Sequence, residues 1–173
     1  LLGMIIVGKL LMAALSRVDV SQEERRDFNL YIDEFQNFTT DSIAVILSEA
    51  RKYRLNLVIA HQFIAQLSEK IRDAVFGNVG SIIAMRVGPQ DAEFLAKQFA
   101  PVFKEDDLMN LDNFNACVRL LMRGETVPPF NIKTMRGEPG NRAWAGRLRE
   151  VSRTRYGRPR EEVETEILKR LRE

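Results

Sequence analysis

Two adjacent carboxylates, Asp33 and Glu34, stand directly after the run Phe28-Asn29-Leu30-Tyr31-Ile32. A short apolar run with β-favouring Tyr and Ile, followed by a polar turn, reads as a buried parallel strand. Side chains at the carboxyl end of such a strand project into the crevice where open α/β sheets bind ligands. An Asp there can hold a hydrated Mg2+, and a Glu beside it can polarise an attacking water. A second apolar run, 55–60, stops at His61-Gln62. The plainer alternative is a strand that ends in a solvated acidic turn without chemistry.

These residues need a scaffold that brings them together. Between the two runs, Ile43, Ile46, Leu47 and Ala50 recur at helical spacing after the capping candidates Thr39, Thr40 and Asp41. Strand, helix, strand at this spacing predicts a βαβ unit with parallel strands. His61 and Gln62 then land on the same sheet edge as Asp33 and Glu34. Upstream, 1–16 reads as a helix apolar on most sides that packs on the sheet, and the charged stretch 19–27 as a loop. Downstream, the pattern predicts a helix over 65–75, a strand over 81–87 and a helix over 89–99 with Pro89 in its first turn. A short helix over 103–111, a strand over 115–122 and a short edge strand over 130–134 follow. The fold class is therefore α/β, a mostly parallel sheet flanked by helices.

Composition sets the frame for that sheet. With 45% hydrophobic and 29% charged residues, the chain is that of an ordinary globular protein. One cysteine, Cys117, rules out an internal disulfide, and one histidine beside it makes a structural zinc site a poor expectation. Charge is unevenly spread: 1–135 holds 15 Lys/Arg against 17 Asp/Glu, whereas 136–173 holds 11 against 7. The expected division is accordingly 1–135 as the α/β part and 136–173 as a basic helical tail. A basic tail on a near-neutral body points to an anionic partner. In the tail, Trp144, Leu148 and Val151 share a helical face amid Arg142, Arg147, Arg149, Arg153 and Arg155, and Val163, Ile167, Leu168 and Leu171 form a second stripe. Aromatic and arginine side chains together suit single-stranded DNA, which makes Arg147, Arg149, Arg153 and Arg155 the nucleic-acid-binding candidates. A solvated arginine face is the alternative.

Taken in order, YIDEFQNF, SEARKYRLNLVIAHQ and FGNVGSIIAMRVGPQDAEFLAKQF resemble the carboxy-terminal part of type IV secretion or conjugative coupling ATPases, a branch of the FtsK–HerA-like RecA-fold motors. The resemblance covers roughly 1–135 and implies ATP and Mg2+ as cofactors. It implies Asp33 as the metal-holding Walker B residue, Glu34 as the group that activates water, and Gln62 as a sensor of the γ-phosphate. Arg51 matches an arginine that reaches into a neighbouring subunit's site, and Arg86, ahead of Gly88, is a second candidate for that role. An arginine finger of this kind is worth about a thousandfold or more in phosphoryl transfer. The resemblance further implies a homo-oligomeric ring, a hexamer by analogy, and DNA and secretion-channel or relaxase-type proteins as partners. It places this part of the chain in the cytoplasm, with any inner-membrane anchor upstream.

One departure stands against the whole pattern. No G-x-x-x-x-G-K-[ST] occurs, and the span from Gly3 to Lys9 reads as helix, so the Walker A half is absent. With no initiator Met either, the expectation is a piece of a longer motor, inactive by itself. A HerA-type DNA translocase, or a non-catalytic docking module derived from such an ATPase, are the alternative readings.

Overall fold

The structure is a computed structural model. It describes residues 2–172, and within them all side chains except those of 41 and 42. Leu1 and Glu173, expected to open the first helix and close the last, lie outside the described residues. The chain forms two compact units, Leu1–Thr134 and Met135–Glu173.

The first unit is built on the predicted βαβ unit. Strands β1 (Phe28–Ile32) and β2 (Leu55–Ile59) pair in parallel, Phe28 opposite Leu55 and Ile32 opposite Ile59. Leu30, Ile32, Leu55, Leu57 and Ile59 pack with Ile43 and Ile46 of α2 (Asp41–Glu49) and with Ile71 and Val75 of α3 (Glu69–Asn78). The buried ones, Ile32, Ile43, Ile46, Leu55, Ile71 and Val75, contribute about 1.5–3 kcal/mol each. Helix α1 (Leu2–Leu15) packs on this core through Val7, Leu11 and Ala14, as expected, but leaves much of its apolar surface exposed. Leu2 is 71% and Met12 65% exposed, because a two-stranded sheet offers packing for one stripe of a helix only. Among the described residues no helix is long and apolar enough to cross a membrane.

A second sheet carries the second core. Strand β3 (Ile82–Ala84) runs antiparallel to β4 (Asn115–Arg119), which runs antiparallel to β7 (Phe130–Lys133), the predicted edge strand. Among the described residues parallel pairing is confined to β1 and β2, so the sheet is not mostly parallel as expected and the domain is mixed α/β. Helices α4 (Pro89–Phe99) and α5 (Glu105–Met109) cover the second sheet with Leu95, Phe99 and Leu108 around the buried Cys117. The strand expected over 115–122 breaks at Leu120, whose carbonyl accepts the Val127 amide. Beyond the break, β5 (Leu121–Met122) and β6 (Glu125–Thr126) form a hairpin. Its two turn residues, Arg123 and Gly124, both have positive φ, the conformation a tight hairpin twist requires. The helix expected over 65–75 starts only at Glu69, because a separate turn over Ile64–Gln66 precedes it.

The second unit holds α6 (Arg142–Tyr156) and α7 (Arg160–Arg170), with no buried residue in either. The Asn141 side chain caps α6 by accepting the Ala143 amide at 3.0 Å. Gly157 ends α6: its amide bonds the Arg153 carbonyl, and a Cβ there would stand 2.5 Å from that oxygen. Arg160 pairs with Glu164 along α7, and Glu166 is bridged by both Arg158 and Arg170.

Candidate active site at the carboxyl edge of the parallel strands

Register explains how the site assembles. Because Ile32 lies opposite Ile59, the residues that follow each strand emerge side by side at one edge. The ladder continues past the strands, with the Ala60 amide on the Ile32 carbonyl and the Phe35 amide on the Ala60 carbonyl, both at 2.9 Å. Phe35 is 1% exposed and anchors the turn Phe35–Phe38 in the core. Glu34, squeezed between strand end and anchor, adopts the left-handed region at φ 51° and ψ 45°. A non-glycine residue there is uncommon, and such strain gathers at functional sites.

The Glu34 carboxylate is held from two sides. Gln62 Nε2 donates to its Oε1 at 2.5 Å, and Gln36 Nε2 donates to its Oε2 at 2.6 Å. Each oxygen keeps a further lone pair for a water proton. Gln36 was not singled out by the sequence, although it stands in the same YIDEFQNF stretch, two residues past Glu34. Its carboxamide oxygen is buried without a hydrogen-bond partner among the described residues, a cost of about 1–3 kcal/mol that its grip on Glu34 helps offset.

Asp33 is exposed and accepts the Glu34 amide on Oδ1 at 2.9 Å. No group of three or more His, Cys, Asp or Glu side chains is placed to hold a metal among the described residues. An ion at this edge would be held by one carboxylate, waters and phosphate oxygens, the coordination that suits Mg2+. His61, half-buried beside Gln62, has its pKa lowered by loss of solvent, and the negative charge of Asp91 opposes that shift.

The other predicted residues lie elsewhere. Arg51 sits in the turn Ala50–Tyr53 ahead of β2, at the amino edge of the strands, opposite Asp33 and Glu34. Five residues of strand separate the two edges, about 16 Å, so Arg51 cannot serve the site of its own chain through that sheet. Arg86, exposed after β3, donates to Asn113 Oδ1 at 3.1 Å and to neither carboxylate of the pair among the described residues. In the second unit the Arg147 guanidinium lies 5.9 Å from the Trp144 ring centre, and that of Arg155 lies 5.4 Å from the Tyr156 ring. Arg149 and Arg153 are exposed on α6 and form no ion pair among the described residues.

Residues 27–109 match the family described as the TraM recognition site of TraD and TraG. Among solved structures the chain is similar to a bacterial conjugative coupling protein, TrwBdeltaN70 in an unbound monoclinic form, with a TM-score of 0.62 and 18% identity over 76% of this chain and 36% of that one. The chain resembles the carboxy-terminal part of a conjugative coupling ATPase. The plasmid coupling protein TrwB in complex with ADP and Mg2+ is similar over 75% of this chain and 35% of its own, at a TM-score of 0.59 and 18% identity. TrwB with the non-hydrolysable GTP analogue GDPNP gives the same score and identity over 76% and 36%. At this identity the likeness is one of fold, and it gives the first unit the RecA-like α/β class expected of it. The coupling-protein chains are far longer, and this chain spans about a third of their length. No curated protein matches it by sequence.

Proposed function

We propose that residues 1–135 are the water-activating half of a RecA-like ATPase in a conjugative coupling motor, with 136–173 as its basic tail. In the complete protein, ATP hydrolysis with Mg2+ would drive DNA, or a protein–DNA substrate, through a type IV secretion channel from the cytoplasmic side. The single observation that carries this reading is the convergence of Gln36, from a turn, and Gln62, from the neighbouring strand end, on the Glu34 carboxylate. A solvated acidic turn needs no such clamp.

Each residue then has a task. Asp33 would hold a hydrated Mg2+ through its carboxylate, and the ion would supply positive charge beside the phosphates. Glu34 accepts the proton of the attacking water at a carboxylate oxygen whose direction both glutamines set. Gln62, donating to Glu34 from the neighbouring strand end, can exchange that contact for a phosphate oxygen, which is the sensor role. The nucleotide complexes of the similar TrwB protein favour ATP and Mg2+ as ligands.

Arg51 at the far edge suits a ring in which it reaches a neighbour's nucleotide, with Arg86 as the second candidate. The match to a TraM recognition region favours relaxase-type or other conjugation proteins as partners. Arg147, Arg149, Arg153 and Arg155 are the proposed DNA contacts of the tail.

The test is Glu34→Gln in the full-length motor. General-base loss lowers kcat about 10²–10⁴-fold, while ATP binding, measured with a fluorescent nucleotide, persists. Unchanged turnover removes Glu34 from the reaction and this reading with it.

A further inference from the structure

Among the described residues Asp91 is the buried charged side chain, 6% exposed in the first turn of α4. A carboxylate is seldom buried without a partner that repays its lost hydration. Its partner is a backbone amide: Asp91 Oδ2 accepts from Ile64 N–H at 3.1 Å. Ile64 lies two residues beyond Gln62 and is itself buried, in the second core, with Ala92 and Leu95 of α4. The short segment 60–64 therefore spans two cores. At its start the Ala60 amide is bonded to β1, in its middle Gln62 reaches Glu34, and at its end Ile64 is tied to α4.

We infer that Asp91 is a positioning residue for Gln62: by fixing the Ile64 amide it sets where the Gln62 carboxamide meets Glu34, and so links α4 and the antiparallel sheet to the reacting edge. This rests on the proposed roles of Glu34 and Gln62. A position in the first helical turn would by itself explain an Asp as a partner of the helix dipole. It does not explain burial of that Asp, or its bond to an amide of a different element.

Two variants separate these roles in the full-length protein. Asp91→Ala removes the acceptor, whereas Asp91→Asn keeps an acceptor oxygen and loses the charge. A hydrogen bond to a charged group is worth about tenfold or more in an equilibrium. Asp91→Ala should therefore raise amide hydrogen exchange across 61–64 about tenfold, with β1 and β2 still protected as a check on folding. It should also lower ATPase kcat about tenfold, with KM for ATP within about twofold, and Asp91→Asn, which keeps a neutral hydrogen bond, should recover part of both losses.

Acting through Gln62 has a further consequence: Asp91→Ala should add little in a Gln62→Ala background. Multiplied effects in the double variant, or exchange at 61–64 that does not change, overturn the inference. A Glu34→Gln control that keeps full turnover overturns the ATPase reading instead. The exchange comparison still decides whether Asp91 holds the Gln62 segment.

Discussion

The acidic edge of the parallel strands and the arginine-rich α6 both carry charged candidates, and they are built in opposite ways. At the edge, one carboxylate is met by two side chains from different elements, over a turn anchored by Phe35. On α6, five arginines surround Trp144, Leu148 and Val151 on a helix without a buried residue, and Trp144 is 57% exposed. A site assembled by strand register derives its chemistry from fixed angles, so small changes should be felt strongly. A helix face acts through summed charge and exposed area, so single changes should be felt weakly.

That contrast can be broken or sharpened by experiment. Glu34→Gln should produce the largest effect, the loss of two or more orders of magnitude in turnover given above. Phe35→Ala comes next: truncating a buried Phe costs about 3–5 kcal/mol, which chemical denaturation of the purified chain will read. A loss below about 1 kcal/mol would mean that Phe35 does not anchor the turn. Gln36→Ala and Gln62→Ala should each reduce kcat about tenfold, in keeping with the loss of one hydrogen bond to a charged group. If either leaves steady-state kcat intact, the clamp on Glu34 has only one arm.

Smaller and more distributed changes belong to the tail. Replacing Arg147, Arg149, Arg153 and Arg155 together by Gln should weaken DNA binding and flatten its salt dependence by up to about four counterions. A single Arg149→Gln should change the slope by about one. An unaltered slope in a titration across salt concentrations would assign the tail to another kind of partner.

The smallest effect concerns pH. Burial lowers the His61 pKa in the folded chain, while the unfolded chain titrates near about 6.5. As pH falls through that value, the unfolded state takes up a proton that the folded state does not, so stability declines until the folded pKa is passed. Thermal melts at pH 7.5 and 5.5 should show a smaller acid-side drop for His61→Gln than for the parent. Equal drops would remove His61 as the source.

Much of this fold was legible from residue pattern. Leu30, Ile32, Leu55, Leu57 and Ile59 marked two strands, Ile43 and Ile46 the helix between them, and that arrangement sufficed to put Gln62 on the edge of Asp33 and Glu34. The helix over 89–99 was equally plain from Pro89, the early acids and Lys97, and the structure places it at Pro89–Phe99. The split of the strand after Arg119 was not legible, since Leu120, Leu121 and Met122 continue the apolar run and only the Arg123-Gly124 turn reveals a hairpin.

The sequence by itself determined the parallel pair and the chemistry available at its end, because strand propensity, side-chain alternation and the placing of Asp33 and Glu34 are local properties. Only tertiary structure decided that Gln36 and Gln62 would share the Glu34 carboxylate, that Arg51 would face away from it, and that Asp91 would reach Ile64. Those contacts join residues by strand register and by the meeting of two cores. Neither leaves a period in the sequence, because distance along the chain does not encode which side chains the packing brings together.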